Sequence, residues 1–125
     1  MSAFIVELPN RPGSLAMLSE AVAARGINIS GAAGATAGQV GSMAFTTDDD
    51  AATRTVLGEH GWVFREVPVV TASLEDRPGT LAAAARRLAD AGVNIETMFP
   101  AGADGSKVRM AFGVDNAEAA ARALG

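Results

Sequence analysis

The feature that most constrains this chain is that it is written twice. Leu8-Pro9-Asn10-Arg11-Pro12-Gly13-Ser14-Leu15-Ala16 aligns with Leu74-Glu75-Asp76-Arg77-Pro78-Gly79-Thr80-Leu81-Ala82 at an offset of 66 residues. The match runs without a gap to Gly26-Ile27-Asn28-Ile29 over Gly92-Val93-Asn94-Ile95, and ten of the 22 aligned positions are identical. Further on the offset becomes 67, placing Met43-Ala44-Phe45 on Met110-Ala111-Phe112. The extra residue is expected in the intervening turn, where insertions are best tolerated. Self-similarity at a fixed period means one supersecondary unit per repeat, here residues 1–67 and 68–125. Units of about 60 residues are marginal alone, so they should pack together or oligomerise.

Each unit reads as βαββαβ. Residues 3–8 are apolar and alternating enough for a strand, which Pro12-Gly13-Ser14 breaks. Ser14 is a plausible N-cap, and Leu15, Leu18 and Val22 recur at helical spacing to about Arg25. Gly26 suits the left-handed position after that helix. Two strands follow, Ile27 to about Thr36 and Val40 to Thr47, around a Gly-rich turn. Asp48-Asp49-Asp50 opens a second helix to about Glu59, Gly61 closes it, and Trp62–Val67 is the last strand. The second copy repeats this as strand 69–74, helix 80–91, strands 93–99 and 107–114, and helix 117–124. Asp104-Gly105 marks the tight turn between its middle strands. It has no counterpart of Trp62–Val67. Crossover chirality favours an antiparallel sheet with both helices on one face, the ferredoxin-like α+β arrangement. Without its last strand, strand 69–74 is left with an edge that should be covered by the other repeat or by a second chain.

Composition removes several classes of function. The absence of cysteine excludes disulfides, thiolate nucleophiles and Cys-ligated metals. A net charge of −4, with one lysine and scattered arginines, gives no phosphate-binding surface, so nucleic acid is not expected as a partner. No apolar run reaches the length of a membrane span, and Met1-Ser2-Ala3-Phe4 has no basic stretch before its apolar one. A cytoplasmic protein is expected.

The proline-glycine turns are the most informative stretches. Proline fixes φ near a helix start, and glycine removes the Cβ that would block approach to the backbone. Free amides at a helix N-terminus favour an anion such as a carboxylate. A well-built strand-to-helix turn without a ligand explains the same residues. Asn28 and Asn94 each stand in an apolar strand start, where a carboxamide offers a donor and an acceptor suited to an amino acid's two charged groups. They could equally satisfy backbone groups locally. Three other features read as structural. Asp48-Asp49-Asp50 suits helix capping and the helix dipole rather than a metal. His60 lacks neighbouring nucleophiles or ligands, and Arg86-Arg87 reads as a solvated helix face. Neither a catalytic constellation nor a cofactor or metal site emerges.

The order strand, Asn/Asp-Arg-Pro-Gly-Ser/Thr-Leu, amphipathic helix, Gly-Ile/Val-Asn-Ile strand resembles the ACT domain family of ligand-sensing modules. The resemblance covers the whole chain as two tandem copies, apart from the missing last strand. It implies a ligand lying where two domains meet, the turn after one domain's first strand facing the second strand of its neighbour. Carried over, Asn10, Gly13 and Leu15 line one site with Asn94 and Ile95, and Asp76, Gly79 and Leu81 line the other with Asn28 and Ile29. The Asn10–Asn28 combination is similar to that of the serine-binding ACT domains of phosphoglycerate dehydrogenases. Asp76 departs from it and would repel a carboxylate, so the two sites are expected to be unequal.

The resemblance therefore implies a non-catalytic regulatory protein that binds a small metabolite, foremost an amino acid, and acts as a homodimer or on a metabolic enzyme or regulator. Two other readings stay open: a ligand-free ACT dimerisation module, and an acylphosphatase-like enzyme. Against the enzyme, the turn is short and proline-bearing, lacks the Gly-x-Val-Gln-Gly-Val signature, and offers few titratable groups beyond Asp76.

Overall fold

The computed structural model describes residues 1–125 and divides into two compact units, Ala3–Glu66 and Val67–Gly125, the latter joined by Met1–Ser2. The first unit contains β1 (Ser2–Pro9), α1 (Ser14–Ala23), β2 (Ile29–Ala37), β3 (Val40–Thr47), α2 (Asp50–Glu59) and the start of β4 (Phe64–Glu75). β3 pairs antiparallel with both β1 and β2, with Phe4 opposite Phe45 and Ala32 opposite Phe45 on the other side. Side chains alternate between the faces of a strand, so Phe4, Val6, Met43 and Phe45 gather on one face. Leu18 and Val22, one helical turn apart on α1, and Val56 and Leu57 on α2 bury that face. Both helices thus lie on the same side. Trp62 and Phe64 close the cluster, and the Phe4 ring lies 5.9 Å from Phe45 and 6.2 Å from Phe64.

The second unit repeats the plan with the rest of β4, then α3 (Thr80–Asp90), β5 (Ile95–Asp104), β6 (Lys107–Val114) and α4 (Ala117–Leu124). β6 pairs antiparallel with β4 and β5, and Met98 stands opposite Phe112 as Ala32 stands opposite Phe45. Its core is built from Ala84, Leu88, Val93, Phe112, Val114 and Ala120, with Met98 and Met110 packed against it. The expected α+β architecture is therefore present, with two helices on one sheet face per unit and no strand after α4.

Two local expectations change. Strands anticipated at 62–67 and 69–74 are a single twelve-residue strand, β4, running through Pro68. Proline cannot donate to a ladder, but its fixed φ is compatible with extended chain. The extra residue of the second repeat is not in a turn. Both hairpins close through two residues, since Ala37 pairs with Val40 and Asp104 with Lys107. The insertion is instead a bulge in β5, where the register shifts between Pro100 and Ala103 and Gly102 adopts φ +111°. A bulge absorbs one residue by leaving it unpaired, and glycine tolerates that backbone conformation.

The last strand of the first unit is held by the Glu7 amide donating to the Val63 carbonyl at 3.0 Å. At the equivalent edge of the second unit the Val69 amide donates to the Met1 carbonyl at 3.0 Å. Beyond it a groove of about 900 Å³ runs along Val70–Glu75 beneath α3 and α4. No helix is long and apolar enough to cross a membrane.

Phe112 is fully buried, whereas Arg86 is a solvated residue paired i,i+4 with Asp90 at 3.8 Å. Phe112→Ala is expected to cost about 3–5 kcal/mol, and Arg86→Ala less than about 0.5 kcal/mol. Urea unfolding, read as a change of midpoint at constant slope, checks both.

Candidate functional site

The strand-to-helix turns of the two repeats share an unusual helix start. Gly13 and Gly79 occupy the N-cap positions of α1 and α3 with φ of 92° and 91°, and neither helix has a side-chain cap. The hydroxyls that could have capped are committed elsewhere. Ser14 Oγ donates to the Pro9 carbonyl at 2.7 Å, and Thr80 Oγ1 donates to the Glu75 carbonyl at 2.7 Å. Each turn is thereby folded back on its own strand, and the amides of Leu15, Ala16, Leu81 and Ala82 point out of the helix without a partner. The other two helices are capped in the usual way, Asp49 accepting from Ala52 and Asn116 from Ala119. Unbonded amides at a helix N-terminus carry a partial positive charge and suit a carboxylate. Leu15 and Leu81, 56% and 40% exposed, stand beside them as apolar surfaces.

The two turns differ in charge. Asn10 is fixed by its Nδ2 donating to the Gly38 carbonyl at 2.8 Å and its amide donating to the Gln39 carbonyl, which leaves Oδ1 able to accept. The Arg11 guanidinium makes no hydrogen bond or ion pair. In the second turn, Asp76 replaces Asn10 and Glu75 replaces Pro9, and Arg77 Nε donates to Glu75 Oε2 at 2.5 Å. That hydrogen bond and the charge behind it hold the Glu75 carboxyl below the usual carboxylate range. The first turn therefore presents a free cation and no acid, whereas the second presents a neutralised cation and an acid. Arg11 was not among the candidate site residues read from the motif. Its signal is the Pro9/Glu75 difference, which decides whether the arginine next to it is occupied.

Asn28 and Asn94 have their backbones clamped by aspartates, Asp48 in the first repeat and Asp115 in the second. The Asn28 amide donates to Asp48 Oδ1 at 3.0 Å, and the Asn94 amide to Asp115 Oδ1 at 2.9 Å, with the aspartate amides donating back to the asparagine carbonyls. The Asn28 carboxamide is left without a partner, while Asn94 Nδ2 donates to Glu96 Oε1 at 3.2 Å. No cluster of metal-ligating side chains is present. His60 Nδ1 donates to the Val56 carbonyl at 2.9 Å, and the ring stacks on Trp62 at 5.0 Å, a helix-end role.

Within the first unit, the turn and the strand start lie at opposite ends of the sheet. Pro9 and Ala37 both face Val40 at one end, whereas Ile29 pairs with Thr47 at the other. Asn10, Gly13 and Leu15 are thus brought together, and Asn28 and Ile29 stand apart from them. The second unit follows suit: Glu75 pairs with Lys107 at the end bearing Asp76, Gly79 and Leu81, and Ile95 pairs with Val114 at the end bearing Asn94. Beside the first turn lies a recess of about 520 Å³, walled by Leu8, Leu15, Met43 and the small residues Ala32–Ala35, with Asn10, Arg11 and Ser14 at its rim.

A titration checks the charge pattern of the second turn. NMR titration is expected to place the Glu75 carboxyl below its ordinary range and to return it towards that range in Arg77→Gln. A depressed folded-state value means that any stabilisation is present above the unfolded pKa and fades as pH falls through the folded one, and at this exposed site it is small.

No protein-family model matches the sequence, and no curated protein matches it. Solved structures do. A protein from Bacteroides thetaiotaomicron superposes with a TM-score of 0.80 at 24% identity, over 98% of this chain and 85% of that one. The regulatory subunit of aspartate kinase from Thermus flavus gives 0.69 at 27% identity, over 98% and 88% of the two chains. That of Thermus thermophilus, in its ligand-free form, gives 0.70 at 24% identity over the same shares. Taken with the repeated strand–turn–helix geometry, these likenesses establish that the chain carries the ACT-type α+β fold in two tandem copies.

Proposed function

We propose that this protein is a non-catalytic regulatory module that binds a free α-amino acid at the Asn10–Leu15 turn. One observation carries the reading: α1 begins without a cap, so the Leu15 and Ala16 amides stand unbonded beside the unpaired guanidinium of Arg11. A carboxylate is the complement of two amides and a cation. The Asn10 Oδ1 is the acceptor for the ligand's ammonium group. The superposition on regulatory subunits of aspartate kinase supports the regulatory half of the reading.

Because the turn and the strand start of one unit lie at opposite ends of its sheet, a site that uses both kinds of residue needs two modules. In this proposal, Asn94 and Ile95 of a second copy supply the facing strand start. The Asp76–Gly79–Leu81 turn, with its acid and its occupied arginine, is the weaker site. The response reaches a separate metabolic enzyme or regulator, since ligand binding at a module junction biases the relative populations of its arrangements.

A second reading, an assembly module without ligand, is favoured by β2. This edge strand, Ile-Ser-Gly-Ala-Ala-Gly-Ala-Thr-Ala, is exposed over most of its length and carries neither charge nor proline to discourage pairing.

Thermal unfolding in the presence of each of the twenty amino acids separates the two. A ligand at 100 times its dissociation constant stabilises by about 2.7 kcal/mol, which raises the Tm of a module this small by several degrees. A selective shift that Arg11→Gln abolishes is expected. No shift with any amino acid, together with a tight dimer in solution, overturns the sensor reading and leaves the assembly module.

A further inference from the structure

We infer that the recess of the first repeat selects an amino acid with an apolar side chain of roughly leucine or methionine size, and that Ala32 and Gly34 are its specificity-determining residues. This rests on the proposed ligand site at the Asn10–Leu15 turn and deepens it.

The argument begins in the register of β2. Ala32 and Gly34 stand opposite Phe45 and Met43, both core residues on the helix-covered face. Residues two apart on a strand share a face, so Ala32 and Gly34 also turn towards the helices. A strand position on that face ordinarily carries a large apolar side chain. Here a methyl group and a hydrogen stand instead, and the space they leave is the recess. Its remaining apolar walls are Leu8, Leu15 and Met43; its one charged group, Arg11, belongs to the turn, and the hydroxyl residues Thr36 and Ser42 line it towards the β2–β3 hairpin. A ligand whose two charged ends engage that turn presents its side chain to a wall that is largely aliphatic around Ala32 and Gly34 and carries no charge. Such a wall rewards apolar surface and gives a polar side chain nothing in exchange for its water. The volume of about 520 Å³ lies within the range of small-molecule sites.

The second repeat shows what happens when the same positions carry bulk. Strand pairing makes Met98 the counterpart of Ala32 and Pro100 that of Gly34, since they stand opposite Phe112 and Met110. Met98 packs against the second core. In that core α3 has Ala84 where α1 has the fully buried Leu18. In the first repeat Leu18 keeps the deep position, so a methionine at 32 would lie over it and occupy the recess itself.

That exchange supplies the test. Dissociation constants are measured by calorimetry for L-leucine, L-methionine and L-phenylalanine, and for L-serine, L-aspartate and L-lysine, on the full chain and on Ala32→Met. Gly34→Leu serves as a second variant, because a Cβ at Gly34 meets only the Ser42 carbonyl at an ordinary 3.6 Å. The expected result is binding of the apolar set alone, weakened about tenfold or more in either variant, with an unchanged circular dichroism spectrum and an undiminished Tm without ligand. Selective binding of serine, aspartate or lysine, unaffected by either variant, overturns the inference and leaves the sensor reading intact. Binding of no amino acid overturns the reading on which the inference rests.

Discussion

Everything in this molecule depends on covering one apolar sheet face with two short helices. With roughly 60 residues per unit there is little surface to bury, and the burden falls on a few aromatic side chains at the centre of each sheet. Phe4, Phe45 and Phe112 are wholly enclosed, and the helices contribute mainly leucine, valine and alanine. The two cores solve the same packing problem with different allocations. The first places bulk on the helix, as Leu18, and leaves the strand bare at Ala32. The second places bulk on the strand, as Met98, and leaves the helix bare at Ala84. Each leaves its own space at the surface: the bare strand opens on the recess beside the first turn, and the bare helix on the groove along the second half of β4.

Much of this was legible from the residues because the duplication supplies its own control. A glycine before a helix means little once, whereas Gly13 and Gly79 at matched positions, with a hydroxyl residue after each, announce a shared turn. The strand start Gly-Ile/Val-Asn-Ile was legible on the same ground. The interpretation of Asp48-Asp49-Asp50 as capping also survives, although a spacing pattern could not reveal the division of labour. Asp49 caps α2, while Asp48 clamps the Asn28 backbone.

What escaped sequence reading has a common cause: it depends on which partner a side chain meets. The Arg-Pro-Gly core of the turns is identical in the two repeats, yet Arg77 is held by Glu75 and Arg11 is unpaired. The bulge at Gly102 was mistaken for a longer turn because an alignment counts residues without knowing where hydrogen bonds resume. Pro68 suggested two strands, but backbone already extended accommodates proline's φ without a break. The separation of Asn10 from Asn28 within a unit follows from strand direction, which no local motif encodes.

The aspartate clamps have a mechanical meaning. In each unit a single turn of chain, Asp48-Asp49 or Asp115-Asn116, grips the start of a strand with one residue and the start of a helix with the next. Strand start and helix start are thereby riveted to the same two-residue plate. A push on Asn28 or Asn94 is delivered to the first turn of α2 or α4 without passing through the side chains of the core. The link between the end of the sheet and the end of a helix thus runs through backbone and caps, not through the packing of the core.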